Sequence, residues 1–275
     1  MMLSKPPATY PAIPTARRGL ALTLLTRTRN PSKLARALYL SPDVAPHAFL
    51  SGAYAENDLN GRLKDRGMEI ALVDPSYFWT EGRWREHRRG LGLPPDDVDS
   101  PTGLALLAAR SHYGEISVNL DLLPQGTVGA VALDVDGCIA SVTSTGGKTN
   151  KLVGRIGDTP SMGSGFWAEE WTVPQKGFKG AVRRFFKMKQ KVQHRAMGAS
   201  GTGDGDVRTS TRLSSLTNWT QGFIRRSTAT TLCSRMKLLG ESVTDAAVNV
   251  VEDLKTDGAV GGIIALDEKG TRECF

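Results

Sequence analysis

A threonine hydroxyl attacks an amide only when a base takes its proton, and an α-amine with a pKa of about 8 is such a base. The stretch Gly126-Thr127-Val128-Gly129-Ala130-Val131-Ala132-Leu133-Asp134 puts a threonine directly behind a glycine. Were the Gly126-Thr127 bond cut, Thr127 would unite nucleophile and base in one residue. Glycine at position 126 tolerates strained backbone angles that few other residues adopt. The chain continues through Val135-Asp136-Gly137-Cys138 into Ile139-Ala140-Ser141-Val142-Thr143-Ser144-Thr145-Gly146-Gly147. Two apolar runs therefore flank an Asp-Gly turn, a strong hairpin signal, and such a hairpin pairs positions whose numbers sum to about 272 or 273. That register brings the Thr145 hydroxyl within about one residue of Thr127 across the ladder. The same pattern also suits an ordinary core hairpin whose threonines serve β-propensity, and the hairpin alone does not choose between the two.

Further blocks follow in order: Thr145-Gly146-Gly147-Lys148-Thr149-Asn150-Lys151, Gly154-Arg155-Ile156-Gly157-Asp158 and Gly201-Thr202-Gly203-Asp204-Gly205-Asp206. Upstream stand Asn30-Pro31 and the aromatic block Asp74-Pro75-Ser76-Tyr77-Phe78-Trp79-Thr80-Glu81-Gly82-Arg83-Trp84. Together they resemble the plant-type asparaginases and isoaspartyl peptidases, the threonine branch of the N-terminal nucleophile hydrolases. That family's patterns run NP, DPSYF-x-TE-x-RW, TVGAVALD, STGG-x-TNK, G-R-x-GD and TG-x-G.

The resemblance implies an α+β chain folded as a four-layer αββα sandwich, a single domain with residues 1–126 as α-subunit-like part and 127–275 as β-subunit-like part. It implies self-cleavage between Gly126 and Thr127, then hydrolysis of L-asparagine or β-aspartyl peptides to aspartate. By the same resemblance Thr145 hydrogen-bonds the nucleophile, Arg155 clamps the substrate α-carboxylate and Asp158 holds its α-ammonium. Thr202 and Gly203 would form the oxyanion hole, with Gly205 lining the amine pocket. A planar guanidinium is well suited to a carboxylate, which it grips with two parallel hydrogen bonds. Association of αβ units is implied too. Glycosylasparaginases and the threonine aspartases are neighbouring readings. The former usually carry Asp-Thr and STNG where this chain has Gly126-Thr127 and Ser144-Thr145-Gly146-Gly147, and the latter lack an acid at the position of Asp158.

The chain also departs from the family. Counterparts of its HGGAG strand, its N-x-G-x-GS loop and its GMYRG-like end are absent, so a sandwich with a gap at a sheet edge is expected, and a truncated, inactive member is a further reading. An insertion is expected at about 169–200 and an unexplained Ser/Thr-rich loop at 207–222. The net charge of +7 is local: Lys176, Lys179, Arg183, Arg184, Lys187, Lys189, Lys191 and Arg195 occur between Trp171 and Gly203 with no acid among them. As a helix this segment would be basic and amphipathic, able to meet a membrane surface, an acidic partner or nucleic acid, or to dock through Phe185 and Phe186 as a solvated face.

The elements that must position the blocks are legible in outline. Ser32 is a candidate cap for a helix containing Leu34, Ala37 and Leu38. Residues 47–52 read as a short buried strand, and Ala53 to Arg66 as a helix. Leu91 to Gln125 reads as a linker that lets the freed end leave. Thr228 to Leu239 and Ser242 to Asp257 read as helices, the second with Val243, Ala247, Val250, Val251 and Leu254 on one face. Gly261 to Leu266 reads as a strand with no room for a return strand before Phe275. With 40% hydrophobic residues the chain can bury a sizeable core. Its 3 cysteines suit reduced thiols in the cytoplasm. His47, His87, His112 and His194 have no metal-ligand spacing. The expectation is a small-molecule hydrolase without cofactor or metal, and without a nucleic-acid or membrane partner.

Overall fold

The structure is a computed structural model, and it describes residues 1–93, 126–174, 192–204 and 222–275. Helices and strands mix along the chain, as in an α+β protein. The hairpin read from Asp136-Gly137 is there. Strand β4 (Val128–Leu133) pairs antiparallel with β5 (Ile139–Ser144), with Val128 opposite Ser144 and Leu133 opposite Ile139. Asp134 closes the turn: its backbone N–H donates to Cys138 O at 3.0 Å, and its Oδ1 accepts from the N–H of Cys138 at 2.7 Å. Gly137 takes the left-handed conformation at φ 76° that a Cβ would resist.

The first sheet runs β1-β5-β4, where β1 is Met2–Leu3. Met2 lies opposite Ser141 and Leu3 opposite Ala140, and Ser4 extends the contact by exchanging bonds with Ile139. A gap at a sheet edge was the sequence expectation; on this side of β5, residues 2 and 3 form the outer strand. At the other edge β4 has no partner strand among the described residues. The second sheet runs β6-β7-β8-β9, made of Phe166–Pro174, Val192–Asp204, Val260–Asp267 and Arg272–Cys274. The last of these is a return strand that the reading of the chain end had excluded. Asp267 makes it possible in so few residues, because its carboxylate accepts from the N–H groups of Lys269 and Thr271 and so tightens the turn.

The ladder between β6 and β7 runs from Phe166–Ser200 to Pro174–Val192. Much of the proposed insertion at 169–200 is therefore hairpin arm, and the basic stretch from 175 to 191 lies outside the described residues. So do the loop at 207–221, most of the linker and Gly205.

The two sheets pack on each other through β4 and β5 against β6, β7 and β8. Small residues let them approach. A Cβ on Gly198 would fall 2.4 Å from a methyl of Ile139, and one on Gly129 would fall 2.1 Å from Ser200 Oγ. Helix α1 (Pro31–Tyr39) packs on β5 and on β2 (Ala21–Thr23). Asn30, not Ser32, is its cap residue, with Pro31 pre-set at the first helical position. Strand β3 (Phe49–Ser51) pairs parallel with β2, and its outer residues are exposed where a buried strand was expected.

The helix expected from Ala53 is a wide π turn, Tyr54–Leu59, followed by a short 3-10 turn at Lys64–Arg66. Glu56 in that π turn is 1% exposed. Its carboxylate accepts the N–H groups of Thr26 at 2.9 Å, Arg27 at 2.7 Å and Thr28 at 2.7 Å, together with both threonine hydroxyls. Burial pulls this carboxyl upward, but the donors from Arg27, Thr26 and Thr28 outweigh it and hold its pKa below the ordinary value.

Helix α2 (Glu81–Gly90) is capped by the Thr80 hydroxyl. After the short α3 (Gly222–Arg225) come α4 (Thr228–Ser234), which continues into a π turn to Leu239, and α5 (Val243–Thr256). Ser242 caps α5 by accepting from the N–H of Asp245 at 3.1 Å. The buried face of α5 is Val243, Ala246, Ala247, Val250 and Leu254, close to the face read from the sequence. It meets Phe223, Leu232, Met236 and Ile263 in the larger core cluster, each large apolar side chain there contributing about 1.5–3 kcal/mol by leaving water. No helix among the described residues is long and apolar enough to cross a membrane.

Candidate active site

Four pieces of backbone end at one cleft of about 540 Å³. The start of β4 brings Gly126 and Thr127, and the end of β5 brings Thr145. The connection from β5 to β6 brings Arg155, Asp158 and Thr159, and the end of β7 brings Thr202 and Gly203. Every residue singled out in the sequence lines this cleft except Gly205, which lies outside the described residues. The opposite wall comes from the N-terminal part: Leu22, Leu24, Leu25, Pro31 and Ser32. Leu24 sits there at φ 57°, a conformation that costs a branched residue energy and is found where a site demands it.

Each position has a local cause. Thr202 lies opposite Gly262 and Gly203 opposite Gly261 in the β7–β8 ladder. A Cβ on Gly261 would fall 2.3 Å from Thr202 O and 2.6 Å from the Gly203 Cα, so only glycine lets the strands close here. The connection carrying Asp158 is folded back by Ser161, whose N–H donates to Asp158 O at 2.9 Å and whose hydroxyl donates to Gly157 O at 2.9 Å. Gly165 then passes over Asp158 so closely that its missing Cβ would lie 2.5 Å from the carbonyl. Gly165 O in turn accepts from Gly201 N–H at 2.9 Å and from the Thr143 hydroxyl at 2.9 Å. The Asp158 segment is thus tied to both sheets.

The hydroxyl of Thr127 lies 2.7 Å from that of Thr202 and 3.5 Å from that of Thr159. The first distance is a short, good O–H···O bond, and the second is at the limit of one. Thr145 lines the cleft with its Oγ1 accepting from Gly147 N–H at 3.1 Å, and among the described residues it makes no hydrogen bond to Thr127. The register does place Thr145 opposite Thr127 in line with Val128–Ser144, yet a loop with two glycines turns its side chain to its own backbone. The amide of Gly203 donates to Asp158 Oδ2 at 3.3 Å, so the acid meant for an ammonium also touches the amide meant for an oxyanion.

Thr159 was missed in the sequence. Its only signal was adjacency to Asp158, since nothing local says that a threonine 32 positions away will face Thr127. Thr143 and Ser200, whose hydroxyls meet at 2.7 Å between the sheets, were equally silent. Burial first, and then the Glu169 carboxylate, push the Cys233 thiol up, so this buried cysteine stays a protonated thiol.

A family model described as Asparaginase matches residues 15–174, more than half of the chain and the span that holds Thr127, Thr145, Arg155 and Asp158. This chain belongs to the asparaginase family. It is 32% identical over 256 residues to an isoaspartyl peptidase of Escherichia coli (strain K12), covering 91% of this chain and 59% of that protein. It is 29% identical over 264 residues to a probable isoaspartyl peptidase/L-asparaginase 2 of Arabidopsis thaliana, covering 94% of this chain and 66% of that protein. An isoaspartyl peptidase/L-asparaginase of Mus musculus is 37% identical over 142 residues, about half of this chain and a third of its own. The asparaginase-family chain thus spans 59% and 66% of the lengths of the first two relatives named. The family match ends at residue 174, so Thr202 and Gly203 of this family member rest on the geometry just described.

Proposed function

We propose that the chain is an autoprocessing threonine amide hydrolase that converts L-asparagine and β-aspartyl peptides to aspartate. One observation carries this reading. The Thr127 hydroxyl, directly behind Gly126, lies 2.7 Å from the Thr202 hydroxyl in a cleft that Arg155 and Asp158 also line.

In the uncut chain the Thr127 nitrogen is an amide and cannot serve as base, so the first reaction is on the chain itself. Thr127 Oγ adds to the Gly126 carbonyl carbon, the C–N bond breaks as the hydroxyl proton passes to nitrogen, and water hydrolyses the resulting ester. A free α-amine now sits on Thr127. In turnover that amine takes the hydroxyl proton, Oγ attacks the side-chain amide carbon, and the proton leaves with the departing amine. The Thr202 hydroxyl and the Gly203 N–H face the developing oxyanion. Arg155 takes the α-carboxylate and Asp158 the α-ammonium; in the uncut chain Asp158 Oδ2 accepts from the Gly203 N–H, and turning to the ammonium releases that N–H for the oxyanion. A second water releases aspartate from the ester.

The packing order α1, first sheet, second sheet, α4 and α5 belongs to the same reading, as the four-layer αββα sandwich. So do a reducing cytoplasmic setting for the three free cysteines and association of αβ units. Intact-mass measurement tests the proposal: wild type should separate into residues 1–126 and 127–275 and release ammonia from asparagine, while Thr127→Ala stays whole. A wild-type chain that remains uncut and releases no ammonia would sink it.

A further inference from the structure

The loop Thr145–Lys151 carries a site threonine but contains Gly146 and Gly147, and it lies outside the strands. Left to itself such a loop samples many conformations. Helix α2 holds it from outside. Arg83 Nη1 donates to Thr149 Oγ1 at 3.0 Å while also donating to Glu86 Oε2 at 2.9 Å. Asn150 turns its side-chain amide to the end of α2: Nδ2 donates to His87 O at 3.0 Å, and Oδ1 meets His87 Nδ1. His87 O is one of the last-turn carbonyls that a helix leaves to outside donors.

Two backbone features fit this contact. Asn150 is at φ 54°, which asparagine tolerates better than most residues. Gly90 leaves the space that the Asn150 amide uses, since a Cβ there would fall 2.2 Å from Nδ2. Inside the loop, Gly147 N–H holds Thr145 Oγ1. A grip on residues 149 and 150 therefore fixes the two glycines and, through them, where the Thr145 hydroxyl points.

We infer that α2 is a clamp on the Thr145–Lys151 loop, with Asn150 and Arg83 as positioning residues for Thr145. The inference rests on the proposed hydrolase reading for its kinetic consequence, but not for its structural one. Helix α2 lies upstream of Gly126 and the loop lies downstream, so after self-cleavage the clamp would join two separate chains.

Two variants test it together. Asn150→Gly keeps the left-handed backbone available and removes only the side-chain grip. Gly90→Ala improves helix propensity and intrudes only on the Asn150 amide. Hydrogen exchange read by mass spectrometry should rise in residues 145–151 in both variants while β4 and β5 stay protected. For asparagine, kcat should fall at least tenfold with KM within about twofold, because Arg155 and Asp158 are untouched. The double variant should be no worse than Asn150→Gly, since without the side chain there is nothing for the alanine to strike. A helix end with a merely structural role predicts the opposite for Gly90→Ala: unchanged kcat and equal or higher melting temperature. Unchanged exchange at 145–151 in both variants overturns the clamp even if wild type proves inactive, and inactivity of wild type with raised exchange in the variants overturns only the hydrolase reading. Should Asn150→Gly fail to fold, Gly90→Ala with native exchange and kcat is sufficient to refute it.

Discussion

Removing the Glu56 carboxylate should loosen the wall of the cleft that the N-terminal part provides. Its Oε1 alone accepts from three consecutive backbone N–H groups, Thr26 to Thr28, at 2.7–2.9 Å in a site only 1% exposed. In Glu56→Ala those three donors are orphaned, at roughly 1–3 kcal/mol each, with the lower end favoured because water can enter the space left. We expect a loss of about 4 kcal/mol, which for a chain of this size is a fall of about 10 °C in Tm. Glu56→Gln keeps a carbonyl oxygen for the three amides and turns its NH₂ to the Thr26 hydroxyl, which can rotate to accept. Only the charge is lost, so the expected cost is about 1–2 kcal/mol.

Thermal and urea unfolding, run in a Thr127→Ala background so that one whole chain unfolds, separates the two variants. The sign of the pH dependence follows from the lowered pKa. The native carboxyl titrates below its unfolded counterpart, so its contribution is fully present above the unfolded pKa and disappears as pH falls through the native one. The gap between wild type and Glu56→Gln should therefore be constant near neutrality and close under acid. Equal destabilisation by Gln and Ala, or a gap that widens in acid, would refute the reasoning.

Three further outcomes are expected. Arg155→Ala should raise KM for asparagine at least tenfold and leave self-cleavage intact, read by steady-state kinetics beside intact mass. Gly261→Ala must push β8 off Thr202 O and the Gly203 Cα, so activity should fall a hundredfold or more while Gly270→Ala, a turn glycine far from the cleft, costs stability only. In a thiol-labelling assay of native protein Cys274 should react quickly, and Cys138 and Cys233 only on unfolding, since just one of the three thiols is exposed.

The parts of this fold legible in the sequence are those decided by near neighbours. The Asp136-Gly137 hairpin and its register, and the apolar face of α5, follow from a turn residue and a helical period, both local. The meeting of Thr127, Thr202 and Thr159 depends on two sheets closing through Gly129 and Gly198, and no local pattern reports that closure. The π turn at Tyr54–Leu59 was read as a regular helix because the apolar spacing is similar. Glu56 within it bonds Thr26 to Thr28, a contact made some thirty positions away that no local spacing reports. The return strand β9 escaped notice because three residues are too few to show a period. Asn150 and Gly90 show in the sequence only as a loop asparagine and a helix-end glycine, and their fit exists only once α2 lies across the loop.

Strand β1 has a consequence should the Gly126-Thr127 bond be cut. Residues 2–4 are hydrogen-bonded into the same sheet as β5, which lies on the other side of that bond in the sequence. The two fragments would then be interleaved rather than docked, and parting them would mean unravelling a sheet and its core. Such a pair does not obey a dilution law: specific activity should stay constant down to nanomolar concentration, and tagged fragments mixed with untagged protein should not trade places on the timescale of hours.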